Sequence, residues 1–124
     1  MEKQKILIVE DDSVNLLFLN DKLRESNFEV EKATDGVEAL VRLVNYQPDI
    51  ILLDNLMPKM SGMELVEILK KDPRYKNIPI IILSAIDDAK EKEKGMAMGV
   101  AVYLTKPINF DEILKNILTT LKRQ

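Results

Sequence analysis

Cysteine and histidine are both missing from this chain of 124 residues. Without cysteine there is no disulfide framework and no thiolate chemistry. Without histidine the commonest metal ligand and general base is gone. A Ser-His-Asp triad and a Cys/His zinc site are excluded outright. Long apolar runs are missing too: none approaches the ~20 residues that a membrane-spanning helix needs. The chain opens Met1-Glu2-Lys3-Gln4-Lys5 and leads straight into a predicted strand, so no signal peptide is expected. There is no linker, repeat or low-complexity segment. Nor is there an excess of positive charge: 18 Lys and Arg stand against 21 Asp and Glu, a net charge of −3. That balance argues against the domain as a whole binding nucleic acid. The length suits one domain with a core of its own. The expectation is a single cytoplasmic domain over residues 1–124 with no output domain in the chain and no membrane contact.

What is present is a set of aliphatic runs, each cut short by a polar residue. Ile6-Leu7-Ile8-Val9 stops at Glu10-Asp11-Asp12, Ile50-Ile51-Leu52-Leu53 at Asp54, and Ile80-Ile81-Ile82-Leu83 at Ser84. A weaker run, Val102-Tyr103-Leu104, stops at Thr105-Lys106-Pro107. Continuous apolar runs are the mark of strands buried on both faces, as in parallel sheets. The alternating Phe28-Glu29-Val30-Glu31 reads as a fifth strand, half exposed and suited to a sheet edge.

Amphipathic stretches lie between the runs. Val14, Leu17 and Phe18 predict one helical stripe, ending about Ser26, with Asp12 or Ser13 as N-cap. Val37, Leu40, Val41 and Val44 predict a second stripe, and Met63, Val66 and Leu69 a third in a helix ending near Lys71. A charged helix, roughly 89–98, stops at Gly99. The last starts at Asn109, which has capping-box spacing to Glu112, with Ile113, Leu114, Ile117, Leu118 and Leu121 as its buried face. Strict alternation with right-handed crossovers gives an α/β fold. Central placement of the three all-aliphatic strands is satisfied by a five-stranded parallel sheet of order 2-1-3-4-5 with helices on both faces, and matching it to the known template of that order gives a flavodoxin-like doubly wound (βα)5 sandwich. Ligand sites in such sheets lie beyond the carboxyl ends of the strands at the topological switch, here between Glu10/Asp11 and Asp54.

Three carboxylates converging there repel one another unless a cation compensates. Mg²⁺ takes oxygen ligands in an octahedron and usually keeps several waters. Asp54 is a nucleophile candidate, Lys106 a compact positive charge beside it, and Ser84 a donor to a phosphoryl oxygen. Phosphoryl transfer rests on positioning and charge neutralisation, and these are its parts.

With these residues in place, the chain resembles a CheY-like response-regulator receiver domain of bacterial two-component signalling. The resemblance runs from about Lys5 to Leu121. It rests on Val9-Glu10-Asp11-Asp12, Leu53-Asp54-Asn55-Leu56-Met57-Pro58 with Gly62 following, Leu83-Ser84-Ala85, and Tyr103-Leu104-Thr105-Lys106-Pro107. It implies that Asp54 is the phosphoacceptor and that Glu10, Asp11, Asp54 and the main-chain carbonyl of Leu56 surround Mg²⁺, for which Mn²⁺ substitutes. It implies that Lys106 binds the phosphate, that Ser84 is the switch hydroxyl, and that Tyr103 is the switch aromatic, turning inward as the hydroxyl closes on the phosphate. The Lys106-Pro107 bond is expected to be cis. The donor is a sensor histidine kinase or a histidine phosphotransfer protein. The output is a face made of the fourth helix, fifth strand and fifth helix, acting on an effector protein that the sequence does not name. A homodimer formed on phosphorylation is compatible with the pattern. Such a domain catalyses its own phosphorylation and dephosphorylation and is not otherwise an enzyme. Asn55 stands where an apolar residue is usual. Leu56 and Ile86 are both apolar at positions that face the phosphoryl group, which implies slow spontaneous hydrolysis.

Each residue also has a plainer reading. Glu-Asp-Asp is commonly a helix start, Asp54 a turn residue, Ser84 a strand-end hydroxyl, Lys106 a solvated lysine and Tyr103 an edge-strand surface residue. The methionines Met57, Met60, Met63, Met96 and Met98 are either loop and core packing or an adaptable contact surface. Lys90-Glu91-Lys92-Glu93-Lys94 is a solvated helix face. Competing functions are an unphosphorylated receiver-like scaffold, a small aspartyl-phosphate phosphatase, and a flavin or nucleotide binder. The phosphatase reading lacks a second aspartate at position 56. The nucleotide reading lacks a phosphate-cradling loop after the first strand.

Overall fold

The computed structural model describes residues 2–54, 60–85 and 89–123. Five strands alternate with five helices: β1 (Lys5–Val9), α1 (Ser13–Glu25), β2 (Glu29–Ala33), α2 (Gly36–Leu43), β3 (Ile50–Asp54), α3 (Gly62–Lys71), β4 (Ile80–Ser84), α4 (Ala89–Ala97), β5 (Val102–Thr105) and α5 (Phe110–Lys122). All strand pairings are parallel, in the order β2-β1-β3-β4-β5. The expected doubly wound sheet is therefore observed, with β1, β3 and β4 in the middle.

Successive strand residues face opposite sides of a sheet, and that alternation divides the core in two. Leu7, Val9, Ile51, Leu53, Ile80, Ile82 and Tyr103 pack with α2 and α3. Ile6, Ile8, Ile50, Leu52, Ile81 and Leu83 pack with α1 and α5. Because both sides are covered, neither can be polar, which is why the central runs do not alternate. Each fully buried Leu or Ile is worth about 1.5–3 kcal/mol. α4 lies on the α2/α3 side, with Gly95 against Tyr103 and Ile82.

Capping follows the sequence closely. Asp12 is the N-cap of α1, accepting from the Val14 and Asn15 amides, and Asn109 caps α5 through the Glu112 amide. The reciprocal capping box is at α3, between Ser61 and Glu64. Gly99, at φ 99°, takes the left-handed position after α4 that glycine tolerates best.

Two expected helix faces are corrected. Val14, Leu17 and Phe18 are exposed, and α1 buries Leu16, Leu19, Asn20 and Leu23 instead. Val37, Val41 and Val44 are likewise exposed, while α2 packs through Gly36, Ala39 and Leu43. Both helices carry two apolar lines, and spacing does not say which one meets the sheet. On α5, Leu118 is exposed although its neighbours in the stripe pack inward.

Candidate functional site

The site is built at the carboxyl ends of β1 and β3. Register sets Val9 beside Leu53, so the next residues, Glu10 and Asp54, emerge side by side. Alternation gives Glu10 the parity of Ile6 and Ile8, and Asp54 that of Ile50 and Leu52. Both carboxylates therefore leave the sheet on its α1/α5 side. Lys106 follows β5, and its amide donates to the Ser84 carbonyl at 2.7 Å.

Ligand oxygens of Glu10, Asp11 and Asp54 all lie within 4.8 Å of one another. Glu10 and Asp54 are buried, only 3% and 8% exposed, whereas Asp11 is exposed. Lys106 Nζ stands 3.5 Å from Glu10 Oε1 and 3.8 Å from Asp54 Oδ2, one ammonium shared by two carboxylates. Glu10 Oε2 also accepts the Asp12 amide at 3.2 Å. Burial, and then a hydrogen bond to Asp54, push the Glu10 carboxyl up to about 7; the Asp12 amide and the Lys106 charge pull the other way. Glu10 thus keeps its proton at mildly acidic pH. The donor set contains only hard oxygens, with one exposed carboxylate at its mouth. That chemistry fits a small divalent cation such as Mg²⁺ and does not suit a soft metal.

The other expected residues sit nearby but on the opposite parity. Ser84 is fully buried at the end of β4, paired with Thr105, and shares the parity of Ile80 and Ile82. Tyr103 is no surface residue: its ring is buried and its hydroxyl has no hydrogen-bond partner among the described residues. The Lys106-Pro107 peptide is cis. Leu56, Asn55 and Ile86 lie outside the described residues, so the carbonyl ligand and the two apolar positions expected there have no geometry to compare. Gly95, where an added Cβ would lie 3.2 Å from Tyr103 Cδ2, is not among the residues that the sequence pattern marks; its signal is a glycine inside a helical stretch with no cap role.

A doubly wound parallel sheet with three carboxylates and a lysine at its switch point defines a class, and residues 6–118 match the response regulator receiver domain. The chain belongs to that family. It is 33% identical over 119 residues to the DNA-binding dual master transcriptional regulator RpaA of Synechocystis sp., covering 96% of this chain and 49% of that protein. The chain thus spans about half that relative's length. The receiver domain of the Francisella response regulator 1452 superposes with a TM-score of 0.90 at 36% identity, with 98% of each chain covered. The Mn(2+)-bound form of response regulator Rcp1 superposes with a TM-score of 0.80 at 27% identity, over 94% of this chain and 90% of that one. Among the described residues, no helix is long and apolar enough to cross a membrane.

Proposed function

We propose that this domain is a phosphoacceptor switch that takes a phosphoryl group onto Asp54 from the phosphohistidine of a kinase or phosphotransfer protein. A carboxylate oxygen of Asp54 forms the new bond to phosphorus, the phosphorus–nitrogen bond of the donor breaks, and the imidazole leaves with that electron pair. The observation that carries this reading is the cluster of Glu10, Asp11 and Asp54 with Lys106 within 4 Å of two of them. Glu10, Asp11 and Asp54 would hold Mg²⁺ or Mn²⁺, which supplies charge neutralisation for the incoming phosphoryl oxygens.

Lys106 has a task in both states. It offsets the paired carboxylates at rest, and it can swing to a phosphoryl oxygen when Asp54 is modified, since its stem is flexible and its head a point charge. Ser84, at the next strand end, donates its hydroxyl to another phosphoryl oxygen. Val14, Leu17 and Phe18 present apolar surface on α1 next to a cavity of about 290 Å³, whose walls include Phe18, Pro107 and Ile108 together with Glu10 and Lys106. That surface suits the donor protein. The readout is a change in the α4/β5/α5 face that controls an effector or a second copy of the chain. The chain works in the cytoplasm, without direct nucleic-acid contact of its own, and turns over no separate substrate.

Intact-mass analysis after treatment with acetyl phosphate tests the reading. The expected result is a gain of one phosphoryl group that requires Mg²⁺ and disappears in Asp54→Ala. No gain under conditions that label a control receiver would favour an unphosphorylated scaffold.

A further inference from the structure

Tyr103 presents a conflict. Its ring is 4% exposed, yet its hydroxyl meets no partner among the described residues. A buried phenol ordinarily finds one. Turning the ring out to solvent would hydrate the hydroxyl but leave its volume beneath α4 unfilled, and with it the dispersion contacts of the ring. Packing and hydration therefore pull the same side chain in opposite directions.

Residue 95 decides how much room the inward ring has. A Cβ built on Gly95 would lie 3.2 Å from Tyr103 Cδ2, 3.7 Å from Cε2 and 3.8 Å from Ile82 Cδ1. The first of these is tighter than an ordinary carbon–carbon contact of about 3.5–4.0 Å. Gly95 is buried within α4, two residues before its end, where glycine lowers helix stability and serves no cap. The seat it makes for the ring is its evident use. The seat is also well placed. Tyr103 pairs with Ile82 and Thr105 with Ser84, so the ring joins α4 to the two strand ends that carry Ser84 and Lys106.

We propose that Gly95 is a positioning residue that holds Tyr103 inward in the unphosphorylated protein, and so sets the resting state of the switch. The proposal deepens the phosphoacceptor reading and rests on it only for the signal that the switch answers. Its consequence is quantitative. A partner that binds the inward form gains at most the reciprocal of that form's resting population when phosphorylation completes the shift. A form already half populated gains about twofold, whereas one at 1% could gain about a hundredfold. Gly95 therefore trades range of response for a populated inward state.

The test uses the protein labelled with 3-fluorotyrosine, its Tyr103 fluorine resonance assigned by Tyr103→Phe. Solvent access is read from relaxation by a soluble gadolinium chelate, before and after Mg²⁺ with beryllofluoride. Wild type should be protected in both conditions. Gly95→Ala should lose protection in the unphosphorylated state and regain at least part of it with beryllofluoride. Alanine favours the helix, so the variant should fold, as circular dichroism would verify. A wild-type Tyr103 that is exposed at rest would overturn the proposal, as would a Gly95→Ala as protected as wild type. Resting protection should survive Asp54→Ala, so a failure to phosphorylate would strike the phosphoacceptor reading and leave this measurement intact.

Discussion

Glu10 and Asp54 are two acids placed where neither is well solvated, and the Lys106 ammonium offsets only part of their repulsion. This sets a pH dependence with a definite sign. Glu10 titrates from about 4.5 when unfolded and is pushed up to about 7 in the folded chain, first by burial and then by its bond to Asp54. Between those values the native state keeps a proton that the unfolded state has released. Stability of the metal-free protein should therefore fall as pH rises from about 4.5 to 7, and level off above. Urea denaturation in the presence of a chelator would follow it. Glu10→Gln should flatten the fall across that window, and saturating Mg²⁺ should raise wild-type stability above pH 7. An unchanged slope in Glu10→Gln would contradict the assignment. The types and places of Glu10, Asp11, Asp54 and Lys106 were legible because each ends an apolar run. The closeness of Lys106 to Glu10 was not, since it depends on how a long flexible side chain settles between two acids.

At the scale of elements, strands proved easier to read than helix faces. A central strand is buried on both sides, so every residue of Ile50–Leu53 must be apolar and no choice of face arises. A helix has to choose. On α2 the valines at 37, 41 and 44 form the more conspicuous line, yet the sheet takes the smaller Gly36 and Ala39 with Leu43, which lets the helix come close. The contrast is measurable. Val41, 65% exposed, should accept lysine with a change within about 0.5 kcal/mol. Leu43, 3% exposed, should lose about 2–5 kcal/mol when cut to alanine. Equal costs in thermal or urea denaturation would reverse the assignment of faces. α1 repeats the lesson: the exposed Val14, Leu17 and Phe18 are open to a partner, whereas Leu16, Leu19 and Leu23 hold the helix down.

The whole molecule is organised by one rule, that parallel strands deliver their last residues to a common edge. Alternation then sorts those residues by side. Glu10, Asp54 and Lys106 fall with the α1/α5 layer, while Ser84 and Tyr103 fall with the α2/α3/α4 layer. Glu10, Asp54 and Lys106 thereby sit on one side of the sheet and Ser84 and Tyr103 on the other, with the two sets joined through the paired ends of β4 and β5. The alternation and the edge were legible because they follow from run lengths and crossover handedness, whereas the strand order needed the known doubly wound template as well. The sorting by side was not drawn from the sequence, although strand parity contained it.

The central claim is that Asp54 is the group that receives phosphate. Borohydride reduction after acetyl phosphate treatment, followed by peptide sequencing in the mass spectrometer, tests it most directly, because an aspartyl phosphate is reduced to homoserine. The account predicts homoserine at position 54, dependent on Mg²⁺, and at no other carboxylate. Homoserine at Asp11 or Asp12 instead, or labelling at 54 that ignores Mg²⁺, would contradict it.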